Sequence, residues 1–293
     1  MDTMLGFPSF YGEAMDKDFW ITIAKNDYKI PEGHTLEELT STLFGYLPST
    51  DPELRDEIAY VVYANWLKRE MVSKDAIRAH VNELLSNLEK GIGEVESDSV
   101  FLRAFSVLLL AEIVHNDNKK PLLEKGQAQY ILAKGLWYLD AEKDPRGHIP
   151  VKGWAHALAH TADLMLVLGC NRNLEENDLW KILNAISSKI VHSTNYLYIH
   201  GEDDRLASAI IEVLWRGLIS IEKVGLWTKL FTEPDGKDWK RVYVEAERNL
   251  AFQNTRNLVR SIYLGLLSDD EELPNREKLK DIILATVKIL RLY

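Results

Sequence analysis

Three side chains at helical spacing are the first candidates for chemistry. His156, His160 and Asp163 stand at positions i, i+4 and i+7, so an α-helix would carry all three on one face. Two imidazoles and a carboxylate in this pattern suit a zinc ion with an open water position, a proton relay or a polar ligand. The structural alternative is that the same groups hydrogen-bond to neighbouring helices inside the fold.

The zinc interpretation predicts a metal-dependent hydrolase, with His156 and His160 as ligands and a nearby carboxylate as third ligand or base. Ala157 follows His156 where the His-Glu-x-x-His metalloproteases have their catalytic glutamate, so that particular reaction has no base here. The sequence also contains no glycine-rich phosphate loop, nucleophile elbow or dinucleotide fingerprint.

The turn before these histidines indicates an anion site. Arg146 and Lys152 flank a helix that we predict to begin at Gly153 and Trp154, and free N–H groups at a helix start favour a carboxylate or phosphate. The same helix start favours neutral imidazole at the first histidine. Arg146 can instead cap the preceding helix or pair with Asp144. Trp154, at the mouth of the polar face, is predicted to wall a ligand pocket.

A third polar group lies at residues 196–205. We predict Asp203 as the N-cap of a helix running through Leu214, which leaves Glu202, His200 and Arg205 for function. Glu202 or Asp203 is a candidate metal ligand or general base if this loop faces the two histidines, whereas Arg205 either contacts a ligand or forms a structural salt bridge. We therefore predict one pocket that combines this loop with the histidine face.

The elements that position these residues are predicted to be helices. Apolar residues recur at three-to-four spacing almost throughout, and Thr35, Thr50, Ser73 and Asn173 precede helical patterns as caps. This predicts an all-α fold of about ten to twelve helices. Helical pairs recur every 40 to 50 residues or so, which favours one elongated α-α superhelix of HEAT-like type over residues 1–293. The alternative is a two-lobed bundle with a seam at 142–151.

Composition narrows the classes of function. The net charge of −10 opposes nucleic-acid binding, which needs a basic surface. The single cysteine, Cys170, excludes an internal disulfide and a Cys-based zinc cluster. No basic-then-apolar leader begins the chain, and no apolar run reaches the roughly 20 residues of a membrane span. We expect a cytoplasmic protein without a membrane partner, and the sequence does not indicate its oligomeric state.

Several blocks together resemble a bacterial family of uncharacterised soluble helical proteins. The blocks are Lys152–Asp163 (KGWAHALAHTAD), Gly201–Leu206 (GEDDRL), Arg146-Gly147 and Arg256–Leu258, and Thr50–Asp56 and Phe101–Phe105 also fit. The resemblance covers most of the chain. It implies an all-α, HEAT-like fold and suggests that these blocks meet in space, and the family brings no established activity.

Two interpretations of function lead. The first is a helical-repeat binding protein without a cofactor, whose polar pocket takes a small anionic molecule or a peptide. The second is the zinc hydrolase described above. A HEAT-like nucleic-acid-binding protein is a third alternative, which the net charge opposes. The residues leave open whether the protein is an enzyme.

Overall fold

The computed structural model describes residues 15–192, 194–236, 239–240, 242–268 and 274–291. Helices dominate these segments, which confirms the predicted all-α fold class. The α-helices are α1 Lys17–Lys25, α2 Leu36–Tyr46, α3 Val61–Lys68, α4 Lys74–Asn87, α5 Ser99–Lys119, α6 Lys125–Ala141, α7 Ala157–Gly169, α8 Glu176–Val191, α9 Glu202–Trp215, α10 Ile221–Trp227, α11 Lys229–Thr232, α12 Ala246–Ser268 and α13 Arg276–Ile289. A π-helix, Glu53–Tyr60, runs directly into α3, and a short 3₁₀-helix spans Pro234–Gly236.

The strands found in the described segments form one hairpin. Strand β1, His148–Ile149, pairs antiparallel with β2, Gly153–Trp154. The hairpin lies between α6 and α7 and leads the chain into α7. It was not predicted, because two-residue strands leave no alternating pattern in the sequence.

Two of the predicted helix caps are confirmed. The Thr35 hydroxyl accepts a hydrogen bond from the Glu38 N–H at 3.2 Å, and Ser73 does the same for Ala76 at 3.2 Å. Each of these hydroxyls satisfies one N–H group that lacks a partner in the first turn of its helix.

Two other predicted caps are wrong. Thr50 does not cap the following helix, because the Asp51 carboxylate accepts the first N–H of the π-helix at 3.0 Å. Asn173 does not cap α8, because Glu175 and Asp178 form a capping box two residues later. In both cases a carboxylate nearer the helix start is the stronger acceptor.

Helix α7 occupies the middle of the structure. It packs against α5 on one side and α9 on the other, and α9 in turn packs against α12, while α6 packs against α8. Eleven of its thirteen residues are buried. The predicted inward face of Leu158, Ala162 and Met165 is buried, but so is most of the face predicted to be polar.

Helix α5 is the one helix of the described segments with the length and apolarity of a membrane span. Fourteen of its 21 residues are buried within the fold, including Arg103 and Asp117. This burial is typical of the central helix of a packed core.

Candidate functional site

The chain enters α7 differently from the prediction. The helix begins at Ala157 rather than at Gly153 and Trp154, because the latter two residues form strand β2. His156 precedes the helix as its N-cap residue in a left-handed conformation, with φ of 50°. Left-handed backbone is uncommon in a residue other than glycine and is enriched at functional sites.

The backbone around His156 is held by the turn that precedes the hairpin. The Arg146 carbonyl accepts a hydrogen bond from the His156 N–H at 3.1 Å, and the Gly147 carbonyl accepts one from Ala155 at 2.9 Å. These N–H groups are therefore not free for an anion. They instead fix the position from which the His156 ring projects.

Three imidazoles and one indole meet beside α7. The Trp154 ring stacks on His156, with centroids 4.2 Å apart and planes 20° apart. His160 and His200 approach His156 edge-on, with centroids at 5.8 Å and 6.3 Å. His200 also meets the edge of Trp154 at 5.7 Å. We call the space that these rings border the histidine cleft.

The histidine cleft has a volume of about 310 Å³. Its walls come from five segments, namely the π-helix, α5, the hairpin, α7 and the start of α9 with the loop before it. It is lined by Asp56, Tyr60, Phe105, Leu108, Trp154, His156, His160, His200 and Arg205. The structure thus brings together five residues that the sequence indicates as candidates, namely Trp154, His156, His160, His200 and Arg205.

Two of the imidazoles are neutral at physiological pH. Burial, with a smaller contribution from the Arg205 charge, lowers the pKa of His156 to about 4. Burial, followed by the effect of His156, lowers the pKa of His160 to about 3. Both residues are 5% exposed. Neutral imidazole is the form that accepts a proton or ligates a metal.

The hydrogen-bond partners of the ring nitrogens determine which nitrogen of each ring remains as an acceptor. Nδ1 of His160 lies 3.1 Å from the Ala104 carbonyl, so the neutral ring donates there and keeps Nε2 as an acceptor. The His156 ring hydrogen-bonds to the backbone of His200, whereas its buried Nε2 has no hydrogen-bond partner. Buried polar atoms without partners are rare in folded proteins.

Asp163 and Arg205 form an ion pair at the side of the cleft. Nη1 of Arg205 lies 2.6 Å from the Asp163 carboxylate, which joins α9 to α7. Burial raises the pKa of Asp163, and Arg205 opposes that rise. Asp163 is therefore committed to a guanidinium. No group of three or more His, Cys, Asp or Glu side chains that could hold a metal ion is found in the segments that the structure describes.

Glu202 and Asp203 do not line the cleft. Helix α9 begins at Glu202, after Gly201 at φ of 82°, so the predicted N-cap role of Asp203 is wrong. Asp203 instead accepts a hydrogen bond from Ser261 at 3.2 Å. Glu202 is 1% exposed and accepts from the backbone N–H of His200 at 2.8 Å. Glu202 thus holds the loop that presents His200.

Both cations of the predicted anion site are paired within the chain. Arg146 donates to the Asp144 carboxylate from two nitrogens, at 2.8 Å and 2.6 Å. Lys152 binds Asp98 at 2.7 Å. The carboxylates of Asp144 and Asp98 thus occupy the position that a ligand anion would take.

Asp56 and Tyr60 are cleft residues that the sequence did not reveal as such. Burial raises the pKa of Asp56 to about 6, although Arg55 lies 2.8 Å away and opposes the rise. Burial also raises the pKa of Tyr60 to about 12. The only signal in the sequence was that Asp56 ends one of the blocks shared with the resembled family.

The protein family described as "Protein of unknown function (DUF2785)" matches residues 88–264, more than half of the chain. The match includes the hairpin, α7 and α9, but not the π-helix. No curated protein and no solved structure matches the chain significantly.

Proposed function

The chain belongs to the DUF2785 family of proteins of unknown function, and from the site itself we propose that it is a binding protein whose histidine cleft holds a small anionic molecule or a peptide. The observation that carries this proposal is the buried Nε2 of His156, a nitrogen without a hydrogen-bond partner in a residue that lines the cleft. An unsatisfied buried acceptor costs about 1–3 kcal/mol, which a ligand N–H or O–H group would offset.

Arg205 supplies the complementary charge. One of its nitrogens binds Asp163, and the side chain is 41% exposed where it lines the cleft. A guanidinium has five N–H donors, so an anionic group of the ligand can bind beside Asp163. Trp154 is 39% exposed and offers an apolar wall. An amino acid or short peptide combines a carboxylate for Arg205 with N–H donors for His156.

The packing order of the helices supports a helical-repeat architecture. Helices α5, α7, α9 and α12 pack one against the next, and α6 packs against α8 beside them. Neighbouring rows of contacting helices are what stacked helical pairs produce. We propose that residues 1–293 form one such domain rather than two lobes, in a cytoplasmic protein without a nucleic-acid or membrane partner.

The binding proposal is tested by thermal unfolding in the presence of a dipeptide library, each free acid paired with its amide. A ligand at about one hundred times its Kd should raise the Tm by about 4 °C. The amide should lose most of this effect, because Arg205 would no longer meet a carboxylate.

Variants locate the binding. His156→Phe keeps an aromatic ring but removes the acceptor, so it should abolish the ligand-induced shift while the protein still folds. Arg205→Gln should abolish the shift for free acids. The matched control is Lys223→Gln, which removes another interhelical ion pair, to Glu176. The proposal would be contradicted if no member of the library raises the Tm of the wild type or of the control. It would also be contradicted if the rise in Tm persists in His156→Phe.

The zinc hydrolase is the second candidate, favoured by the neutral state of His156 and His160. Since Asp163 is paired with Arg205, the carboxylate that this alternative requires would come from Asp56, which lines the cleft. Calorimetric titration with zinc sulfate distinguishes the candidates. Stoichiometric zinc binding that His160→Gln abolishes would favour the hydrolase. The hydrolase would be excluded if titration of the wild type releases no more heat than titration of the His156→Phe/His160→Gln double variant.

A further inference from the structure

A second and larger cleft lies on the other side of the first turn of α7. Its volume is about 480 Å³, and Ala157, Leu158 and Thr161 of α7 line it. The other walls come from the end of α6 and the segment after it, the last turn of α8, the loop that follows α8, and the start of α12. Lys189 of α8 and Lys143, just after α6, both reach this space, which we call the lysine cleft.

The Lys189 amine has an unusual set of partners. Its Nζ donates to the main-chain carbonyl of Glu142 at 2.8 Å, and no carboxylate lies within ion-pair distance in the described structure. Lys143 likewise donates to a main-chain carbonyl, that of Asp140, at 2.9 Å. A carbonyl accepts from a neutral amine as well as from an ammonium group, so neither contact requires the positive charge.

The nearest buried carboxylates are committed elsewhere. The Glu142 carboxylate accepts from Arg103 at 2.6 Å and 3.1 Å and from the Tyr138 hydroxyl at 3.0 Å. Asp144 is paired with Arg146. Lys189 therefore lies close to negative charge that other cations already balance.

The protonation of Lys189 reflects these surroundings. Burial, followed by repulsion from Lys143, lowers its pKa to about 8, against the opposing effect of Glu142 and Asp140. The remaining ionisable groups that face the cleft are Asp144, His192, Tyr198 and Glu247. At pH 7 about one amine in ten is then neutral, compared with about one in 3,000 for an ordinary lysine.

We propose that Lys189 is a nucleophilic amine that forms an imine with the aldehyde or ketone group of a small anionic molecule bound in the lysine cleft. The amine lone pair attacks the carbonyl carbon to give a carbinolamine. The carbonyl oxygen then leaves as water with both amine hydrogens, and a C=N bond remains. The step needs no oxidant or reductant. Lys143 provides the second cation, which binds the anionic group of the molecule.

Glyoxylate, a small anionic aldehyde, is the probe that tests this proposal. Wild-type protein is incubated with glyoxylate and cyanoborohydride at pH 7, and the reduced adducts are located by peptide mass spectrometry. Lys189 should be modified about tenfold faster than exposed Lys68, because its larger neutral fraction outweighs its lower basicity. The rate at Lys189 should also saturate with glyoxylate concentration.

Two variants separate a built site from a merely reactive amine. Lys189→Arg keeps the positive charge and should lose the fast adduct without gaining another. Lys143→Gln keeps Lys189 but removes its cationic neighbour. The rate at which glyoxylate modifies Lys189 should therefore fall at pH 7, and the midpoint of the pH dependence of that rate should move above pH 8. Equal modification of Lys189 and Lys68, or a rate that rises linearly with glyoxylate concentration, would overturn the proposal.

Discussion

Acidification from pH 8 to pH 5 should destabilise the fold through the two buried histidines of the cleft. The folded protein holds His156 and His160 neutral, with pKa values of about 4 and about 3, against 6.5 for an unperturbed histidine. The unfolded chain therefore binds more protons than the folded chain below pH 6.5. The stability that these rings contribute is complete above that pH and is lost as the pH falls towards their folded pKa values.

The magnitude follows from these values. At pH 5 each unfolded imidazole is almost fully protonated and each folded one almost fully neutral, so each ring removes about 2 kcal/mol from the free energy of unfolding. This figure hardly depends on how far below 5 the folded pKa lies. Asp56 opposes the loss by about 1 kcal/mol, because its pKa of about 6 makes the folded state bind a proton above the usual Asp range. The net loss should be about 3 kcal/mol.

Urea unfolding at pH 8, 7, 6 and 5, followed by tryptophan fluorescence, measures this loss. His160→Gln retains a donor for the Ala104 carbonyl but cannot titrate, so its pH dependence should be smaller than that of the wild type by about 2 kcal/mol. His115→Gln is the matched control for the loss of one histidine from a neighbouring helix. If His160→Gln and the wild type lose equal stability between pH 8 and pH 5, the assignment of a buried neutral imidazole is refuted.

Three further predictions concern the segments that position the two clefts. Glu142→Gln should lower the free energy of unfolding in urea by about 3 kcal/mol, because it leaves the fully buried Arg103 without its counter-charge. An effect below about 1 kcal/mol would contradict this. Gly147→Ala should lower the Tm and change the fluorescence of the cleft tryptophan, because its Cβ would lie 2.1 Å from the His200 ring; an unchanged Tm would show that the His200 loop moves freely. Val151→Asn should raise the stability by up to about 1 kcal/mol in calorimetry, because Val151 is 94% exposed with φ of 70°, a conformation that β-branched residues rarely adopt. A lower stability would mean that the valine makes a contact worth more than its strain.

Residue spacing and type identified much of the histidine cleft. Helical spacing brings residues four apart, such as His156 and His160, onto one face, and the loop before Arg205 carries more charge than capping requires. The structure brings these residues together around one space. The residues that joined them, Asp56 and Tyr60, lie about 100 positions earlier in the chain. The packing of the π-helix against α5 and the hydrogen bond from Arg55 to the Lys152 carbonyl place them there, and local pattern carries no information about these contacts.

The predicted anion site shows what the local sequence leaves out. Arg146 and Lys152 concentrate positive charge beside α7, but charge alone does not tell whether a cation already has a partner in the chain. Lys152 finds its partner, Asp98, at the start of α5, 54 residues away in the chain. Arg146 takes Asp144, an alternative that was visible in the sequence. Pairing at long range is a property of the fold and not of the local sequence.

The low pKa of His156 has a different cause from the one that the sequence indicates. The sequence favoured neutral imidazole because His156 was placed in the first turn of a helix, near the positive end of its dipole. In the structure His156 precedes the helix in a left-handed conformation, and burial is the largest cause of its low pKa. The distinction is physical, because a dipole effect would weaken with added salt, whereas the cost of desolvating a buried charge would not. Ring titration by NMR at low and high ionic strength should therefore find nearly the same pKa for His156, and a rise of one unit or more in high salt would restore the electrostatic explanation.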